Sequence, residues 1–279
     1  MLYQNNAFFS GNIAVADMIV GLSTIGDSML AFMGWTSMYS CATVYSFIAL
    51  SCTTSVSLLA ALATNQCYAI AYPIHHRKCF KVEKICLVIG VIWLTCGLVN
   101  VIALICNITS KKEQIFPKEG CLISLSFDKD YVLCFCTFLM LSLLYIVLTY
   151  TKIIATVKRQ AHIIPGDIGI NREVKSMKHE QTLRLTRKLI GVILLFLICW
   201  TPFTIAALIW GTCSEVYTRR LIEIPSCVIE QTFTITAGIA LTHSCMNFLF
   251  YICTFKKFRE ALCKGWCCHR NQNGTNGNI

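Results

Sequence analysis

The chain reads as an all-α membrane protein, with a bundle of six transmembrane helices over residues 1–254 and a short amphipathic helix and cytoplasmic tail over 255–279. Three observations lead there. Of the 279 residues, 56% are hydrophobic and 14% charged, with a mean hydropathy of +0.62, which is too apolar for an ordinary soluble domain. Apolar runs recur at about 7–33, 41–72, 85–106, 131–157, 187–211 and 228–254, and about 20 such residues cross a bilayer core of about 30 Å as one helix. The basic residues also gather in alternate loops, as they do when cytoplasmic loops retain Lys and Arg.

That third observation sets orientation. Loop 72–84, loop 151–188 and the tail hold eighteen of the 24 basic residues, among them Arg77, Lys81, Arg159, Arg187, Lys256 and Arg259. The other six share their loops with acidic residues. Both termini are therefore expected in the cytoplasm. The net charge of +10 consists of loop charges at helix ends, so no nucleic-acid partner is implied. The 18 cysteines lie mostly inside apolar runs, where Cys acts as a small hydrophobe. No CxxC pairs with a second CxxC or with His at zinc spacing. Residues 1–10 lack the basic start of a signal peptide.

The first helix carries Asp17 in mid-span and Asp27 near its outer end. An intramembrane carboxylate is costly unless it faces a polar cavity. Cys41 opens the next helix on the outer face and Cys121 lies in a long loop on the same, oxidising side, so a bridge between them is expected. Asn107-Ile108-Thr109 is a glycosylation sequon on that face, whereas Asn273-Gly274-Thr275 falls in the cytoplasmic tail. Cys213 and Cys227 flank the last outer loop as a second candidate pair. A lone Trp93 reads as a packing or interface residue, and helix 131–157 carries Tyr145 and Tyr150 without any proline. In helix 187–211, Trp200 stands a half-turn before Pro202, whose ring opens the hydrogen-bond ladder and bends the helix. After 254, Phe255, Phe258, Ala261 and Leu262 share one face opposite Lys and Arg, which describes a helix lying on the inner leaflet. Cys263, Cys267 and Cys268 beside it are candidate palmitoylation sites.

Taken in register, these residues resemble the rhodopsin-like class of G-protein-coupled receptors. The matches run from Asn12–Asp17 in the second family helix through Cys41 in the third, Trp93 in the fourth, Tyr150 in the fifth and Cys199-Trp200-Thr201-Pro202 in the sixth, to Asn247–Tyr251 in the seventh. The family has seven helices, so the expectation is that residues 1–6 form the first intracellular loop and that the first family helix is absent here. The chain is then an incomplete product or a shortened receptor.

The resemblance implies roles for residues. The ligand pocket would comprise Asp27, Ile48, Cys52, Trp200, Phe203 and Phe233. A sodium ion would be held by Asp17, Ser55, Ser244 and Asn247, and is the one cofactor implied; His243 replaces a usual asparagine beside it. Trp200, Pro202, Tyr150 and Tyr251 would form the switch. Asn65-Gln66-Cys67 stands where the family has Asp-Arg-Tyr facing the G protein. Gln66 can hydrogen-bond but cannot supply that cation, and Ser142 and Phe248 replace family prolines. Ile48 removes the counter-ion that amine receptors carry. The implied activity is that of a plasma-membrane receptor: an extracellular ligand shifts a two-state bundle, and the bend at Pro202 carries the change to a heterotrimeric G protein. The alternative is a receptor-like protein that does not signal alone and acts as a decoy or receptor partner. A transporter or membrane enzyme lacks its marks, since no inverted repeat and no paired intramembrane carboxylates are seen.

Overall fold

The computed structural model describes residues 2–110, 121, 126–163, 190–191, 193–211 and 226–254, from 245 onward as backbone alone. Its helices are α1 Leu2–Met33, α2 Met38–Ala71, α3 Pro73–Cys79, α4 Val82–Ser110, α5 Lys129–Ile163, α6 Ile193–Gly211 and α7 Ser226–Thr254. Among the described residues there is no strand. By length and apolar composition α1, α2, α4, α5 and α6 can cross a membrane. Helix α7, 29 residues long, is the sixth expected helix.

Helix α2 is the centre of the bundle. Its most apolar window is 67% buried, against 17% for α1 and for α4. Phe9 and Ile13 of α1, Leu58 and Leu62 of α2, Leu143 of α5 and Phe196 of α6 are all sealed in the core around it. The outward faces are as apolar as the inner ones. Leu94, Leu98 and Ile102 on α4 and Leu141, Leu144 and Leu148 on α5 are exposed, which is unfavourable in water and neutral against lipid tails.

Where lipid gives no hydrophobic drive between helices, small residues and polar pairs fix their register. The Trp93 indole on α4 donates to Asn12 Oδ1 on α1 at 3.1 Å, so this tryptophan ties two helices together. Tyr131 Oη on α5 donates to Asn100 Oδ1 on α4 at 3.1 Å, and Thr64 of α2 pairs with Tyr145 of α5 at 2.8 Å. At Gly211 of α6 an added Cβ would sit 2.8 Å from Leu133 Cδ1 on α5, so the glycine lets the two helices close at their outer ends.

Among the described residues a helix lies within each expected run, and several run past the expected ends. Helix α2 starts at Met38 rather than at 41, because Ser37 and Ser40 form a reciprocal cap. Ser37 Oγ accepts from the Ser40 amide at 3.2 Å, and Ser40 Oγ accepts from the Ser37 amide at 2.9 Å, which satisfies donors left open at a helix start. The turn before it needs Gly34, whose φ of +66° costs a side-chain-bearing residue about 1–2 kcal/mol. Loop 72–84 is corrected in part: it contains α3, which has Pro at its first position, where the missing N–H costs nothing. The expected inner-leaflet helix after 254, with Cys263, Cys267 and Cys268, and the pairing of Cys213 with Cys227 lie outside the described residues.

Candidate functional site

Towards the end of the bundle that carries Cys41, helices α1, α2, α5, α6 and α7 converge on a cavity of about 240 Å³. Of the six residues expected to line it, Asp27, Ile48, Trp200 and Phe203 do. Cys52 and Phe233 do not. Cys52 is one turn deeper on α2 than Ile48 and is buried in the core, while Phe233 stands behind Phe203, with ring centroids 5.0 Å apart, and packs against Trp210 at 5.5 Å. Both support the wall from behind.

Tyr45, Phe127, Tyr131 and Phe135 complete the aromatic lining, and the sequence reading did not single them out. For Tyr45 a signal was present: positions 41, 45, 48 and 52 follow helical spacing on one face of α2. Cys41 and Cys121 are joined by a disulfide that closes 80 residues, with Cα atoms 5.4 Å apart. Tyr45 Oη then donates to the Cys121 carbonyl at 2.8 Å. The bridge and this hydrogen bond together fix the outer loop against the cavity wall.

Trp200 forms the floor. Its indole stacks on Phe196 at 5.5 Å, meets Phe203 edge-on at 5.8 Å and tilts against Phe135 at 5.9 Å, so it touches both α5 and its own helix. Pro202 lies two residues on and removes the backbone donor that would reach the Ile198 carbonyl. Thr201 and Thr204 turn their hydroxyls back onto the Leu197 and Thr201 carbonyls at 2.6 and 2.9 Å, within the turns around the proline. The ring therefore sits on the one part of α6 where the backbone is least restrained.

Below the floor, Asp17 on α1 is half-buried with its Oδ1 sealed from solvent. The Ser55 and Ser244 hydroxyls are buried without a hydrogen-bond partner. A carboxylate with two open hydroxyl oxygens is a donor set that fits a hard cation such as sodium. His243 packs edge-on to Phe196 at 4.5 Å beside them. The side chains of Asn247 and Tyr251 lie outside the described residues. No group of His, Cys, Asp and Glu suited to a transition metal occurs among the described residues.

At the opposite end Asn65 and Gln66 are buried. Tyr150 Oη donates to Gln66 Oε1 at 3.1 Å, a neutral contact between α2 and α5. Asn65 Nδ2 donates to Asn6 Oδ1 at 3.0 Å, and Asn65 Oδ1 lies 2.9 Å from His76 Nε2. His76 stacks on Phe80 at 4.8 Å, and burial pushes its pKa below the usual 6.5. Cys67 is half-buried. Of the residues expected at the G-protein face, Asn65 and Gln66 are therefore engaged inside the bundle in this arrangement. Asn107, the expected glycosylation site, is 5% exposed and its amide donates to the Ser126 carbonyl. Here the amide is turned inward, occupied where a glycan would attach.

The sequence profile described as 7 transmembrane receptor (rhodopsin family) matches residues 2–251. The chain belongs to this family. It is thus a multi-pass membrane receptor of the rhodopsin family, and this is a family of signalling receptors rather than enzymes. Similar curated proteins include melanocortin receptor 5 of Mus musculus, 25% identical over 281 residues covering 96% of this chain and 76% of that one. The fMet-Leu-Phe receptor of Oryctolagus cuniculus is 24% identical over 82% of this chain and 63% of its own length. The B2 bradykinin receptor of Cavia porcellus is 37% identical over 95 residues, 32% of this chain and 24% of its own.

Proposed function

We propose that this rhodopsin-family receptor binds an extracellular ligand in the cavity between α1, α2, α5, α6 and α7 and passes a conformational change to a heterotrimeric G protein. The observation that carries the reading is the cavity floor: Trp200 lines it two residues before Pro202, so an occupant that moves the ring works directly on the weak point of α6. A ligand that favours one position of this ring shifts the two-state population by its differential affinity. Three relatives are named for melanocortin, fMet-Leu-Phe and bradykinin, which supports a peptide as ligand class. In this reading the tail is cytoplasmic and anchored through Cys263, Cys267 and Cys268, and Asp17, Ser55, Ser244 and Asn247 would hold a sodium ion that lends positive charge to the middle of the bundle.

A second reading has its own observation. Gln66 makes a neutral contact with Tyr150 where the family presents a cation, which favours a chain that binds ligand without coupling. Nucleotide exchange on a panel of purified G proteins, measured with the chain in vesicles, separates the two. Exchange above the empty-vesicle level, raised further by Gln66→Arg, is the expected result. No exchange with either chain would overturn coupling and leave the non-signalling reading.

A further inference from the structure

The short helix α3 carries a nucleophile beside a base, away from the ligand cavity. We propose that His75 and Cys79 form a reactive pair, in which the Cys79 thiol makes a mixed disulfide with an anionic, low-molecular-weight disulfide of the glutathione class. The two residues stand four apart in sequence, a spacing that stacks side chains on one helix face. His75 Nε2 lies 3.3 Å from Cys79 Sγ. With its ring hydrogen on Nδ1, the imidazole presents Nε2 as an acceptor for the thiol proton. Tyr68 of α2 stands beside it, with ring centroids 6.5 Å apart, and packs in turn on Phe80 at 5.4 Å. This aromatic wall limits where the imidazole can turn. A nucleophile, a base within reach and a third group that orients the base are together what activates a thiol.

The surroundings select the reactant. His75 is exposed and Cys79 half-buried, so a dissolved molecule can reach the pair. Lys78 and Lys81 are exposed on either side of the thiol, and the carboxylates of a glutathione-type disulfide answer their charge. Loop 72–84 belongs to the basic set expected in the cytoplasm, whose redox poise is that of glutathione. Cys52, Cys136 and Cys199, by contrast, are buried. In the reaction His75 Nε2 takes the thiol proton as Cys79 Sγ attacks one sulfur of the disulfide. A bond forms between Sγ and that sulfur, the original S–S bond breaks, and the departing thiolate takes the proton from His75. The Cys79 sulfur is oxidised and the departing sulfur reduced, with no further reactant. The adduct lands next to Phe80, whose carbonyl accepts from Asn5 Nδ2 of α1 at 3.1 Å and whose ring stacks on His76. It therefore loosens the docking of α3 against α1 and α2.

The test follows the chain in phosphatidylcholine nanodiscs at pH 7.4 with glutathione disulfide, reading the mixed disulfide at each cysteine by peptide mass spectrometry. Cys86, exposed on α4, is the reference thiol. Cys79 is expected to react at least tenfold faster than Cys86. His75→Ala, an exposed position where alanine keeps the helix, is expected to remove that advantage and leave Cys86 unchanged, and imidazole added to this variant to restore part of the rate at Cys79. The neutral bis(2-hydroxyethyl) disulfide is expected to show a smaller preference for Cys79. A rate at Cys79 no greater than at Cys86, a rate untouched by His75→Ala, or a loss in that variant that imidazole does not restore would overturn the pair. An equal preference with the neutral probe would overturn the anionic reactant. Oxidation of Cys79 to a sulfenic acid by hydrogen peroxide, with no mixed disulfide from glutathione disulfide, would assign the thiol to peroxide and overturn the proposal as well.

Discussion

Gln66 and Tyr150 show how much one side-chain pair can decide inside this bundle. Each is buried, and their 3.1 Å hydrogen bond spans α2 and α5. Polar contacts between membrane helices contribute on average about 0.6 kcal/mol, because the dissociated helices also find partners. Tyr150→Phe is therefore expected to lower stability by about 0.5–1 kcal/mol, and by less in a Gln66→Leu background; a double-mutant cycle on unfolding in bicelles measures this, and additive losses would count against the contact. His76 makes a different prediction. Its folded-state pKa lies below the usual 6.5 because it is buried, so the unfolded chain takes up a proton first as pH falls. Stability contributed by neutral His76 is complete above about pH 6.5 and is lost progressively below it as pH falls towards the folded-state pKa. Hydrogen exchange of residues 72–80, corrected for intrinsic rate, is expected to rise between pH 7.4 and 5.5 in the unaltered chain and to lose that pH dependence in His76→Gln.

At the scale of elements, α6 is where sequence and structure meet most directly. Trp200 and Pro202 are two residues apart in sequence, so the floor of the cavity and its hinge can be read without knowing the fold. Pro202→Ala restores the missing donor to the Ile198 carbonyl and is expected to stiffen the helix. Spin labels near Lys158 on α5 and Ile190 just before α6 should then report one narrow distance distribution, against a broader one in the unaltered chain; identical distributions would remove the hinge. Cys41 was legible for a similar reason, since its place at the start of an outer-end helix limits its partners. Residues brought together only by packing were not legible. Nothing local joins Asn65 to Asn6 and His76, which meet because α3 folds back under α2, and a seven-residue helix leaves no periodicity to detect. Helix ends were misplaced where polar side chains such as Ser37 and Ser40 extend a helix beyond its apolar stretch.

For the whole molecule, the 41–121 bridge is the longest covalent closure in the described structure, spanning 80 residues. A loop of that length, closed in a fully unfolded chain, corresponds to about 4–5 kcal/mol. Membrane-inserted helices restrict the open state already, so a smaller loss is expected. Cys41→Ser and Cys121→Ser should each lower the thermal midpoint of the purified receptor by the same amount, with the double change no worse than either single one. Greater loss in the double variant would mean that the cysteines act separately.

The neutral character of the inner contact reaches into how the receptor behaves outside a cell. An ion pair between helices weakens as counter-ions accumulate, whereas an amide and a phenol are indifferent to them. Washing native membranes with concentrated salt to strip peripheral proteins therefore leaves the Gln66–Tyr150 junction intact, and this one contact answers to packing rather than to the electrolyte around it.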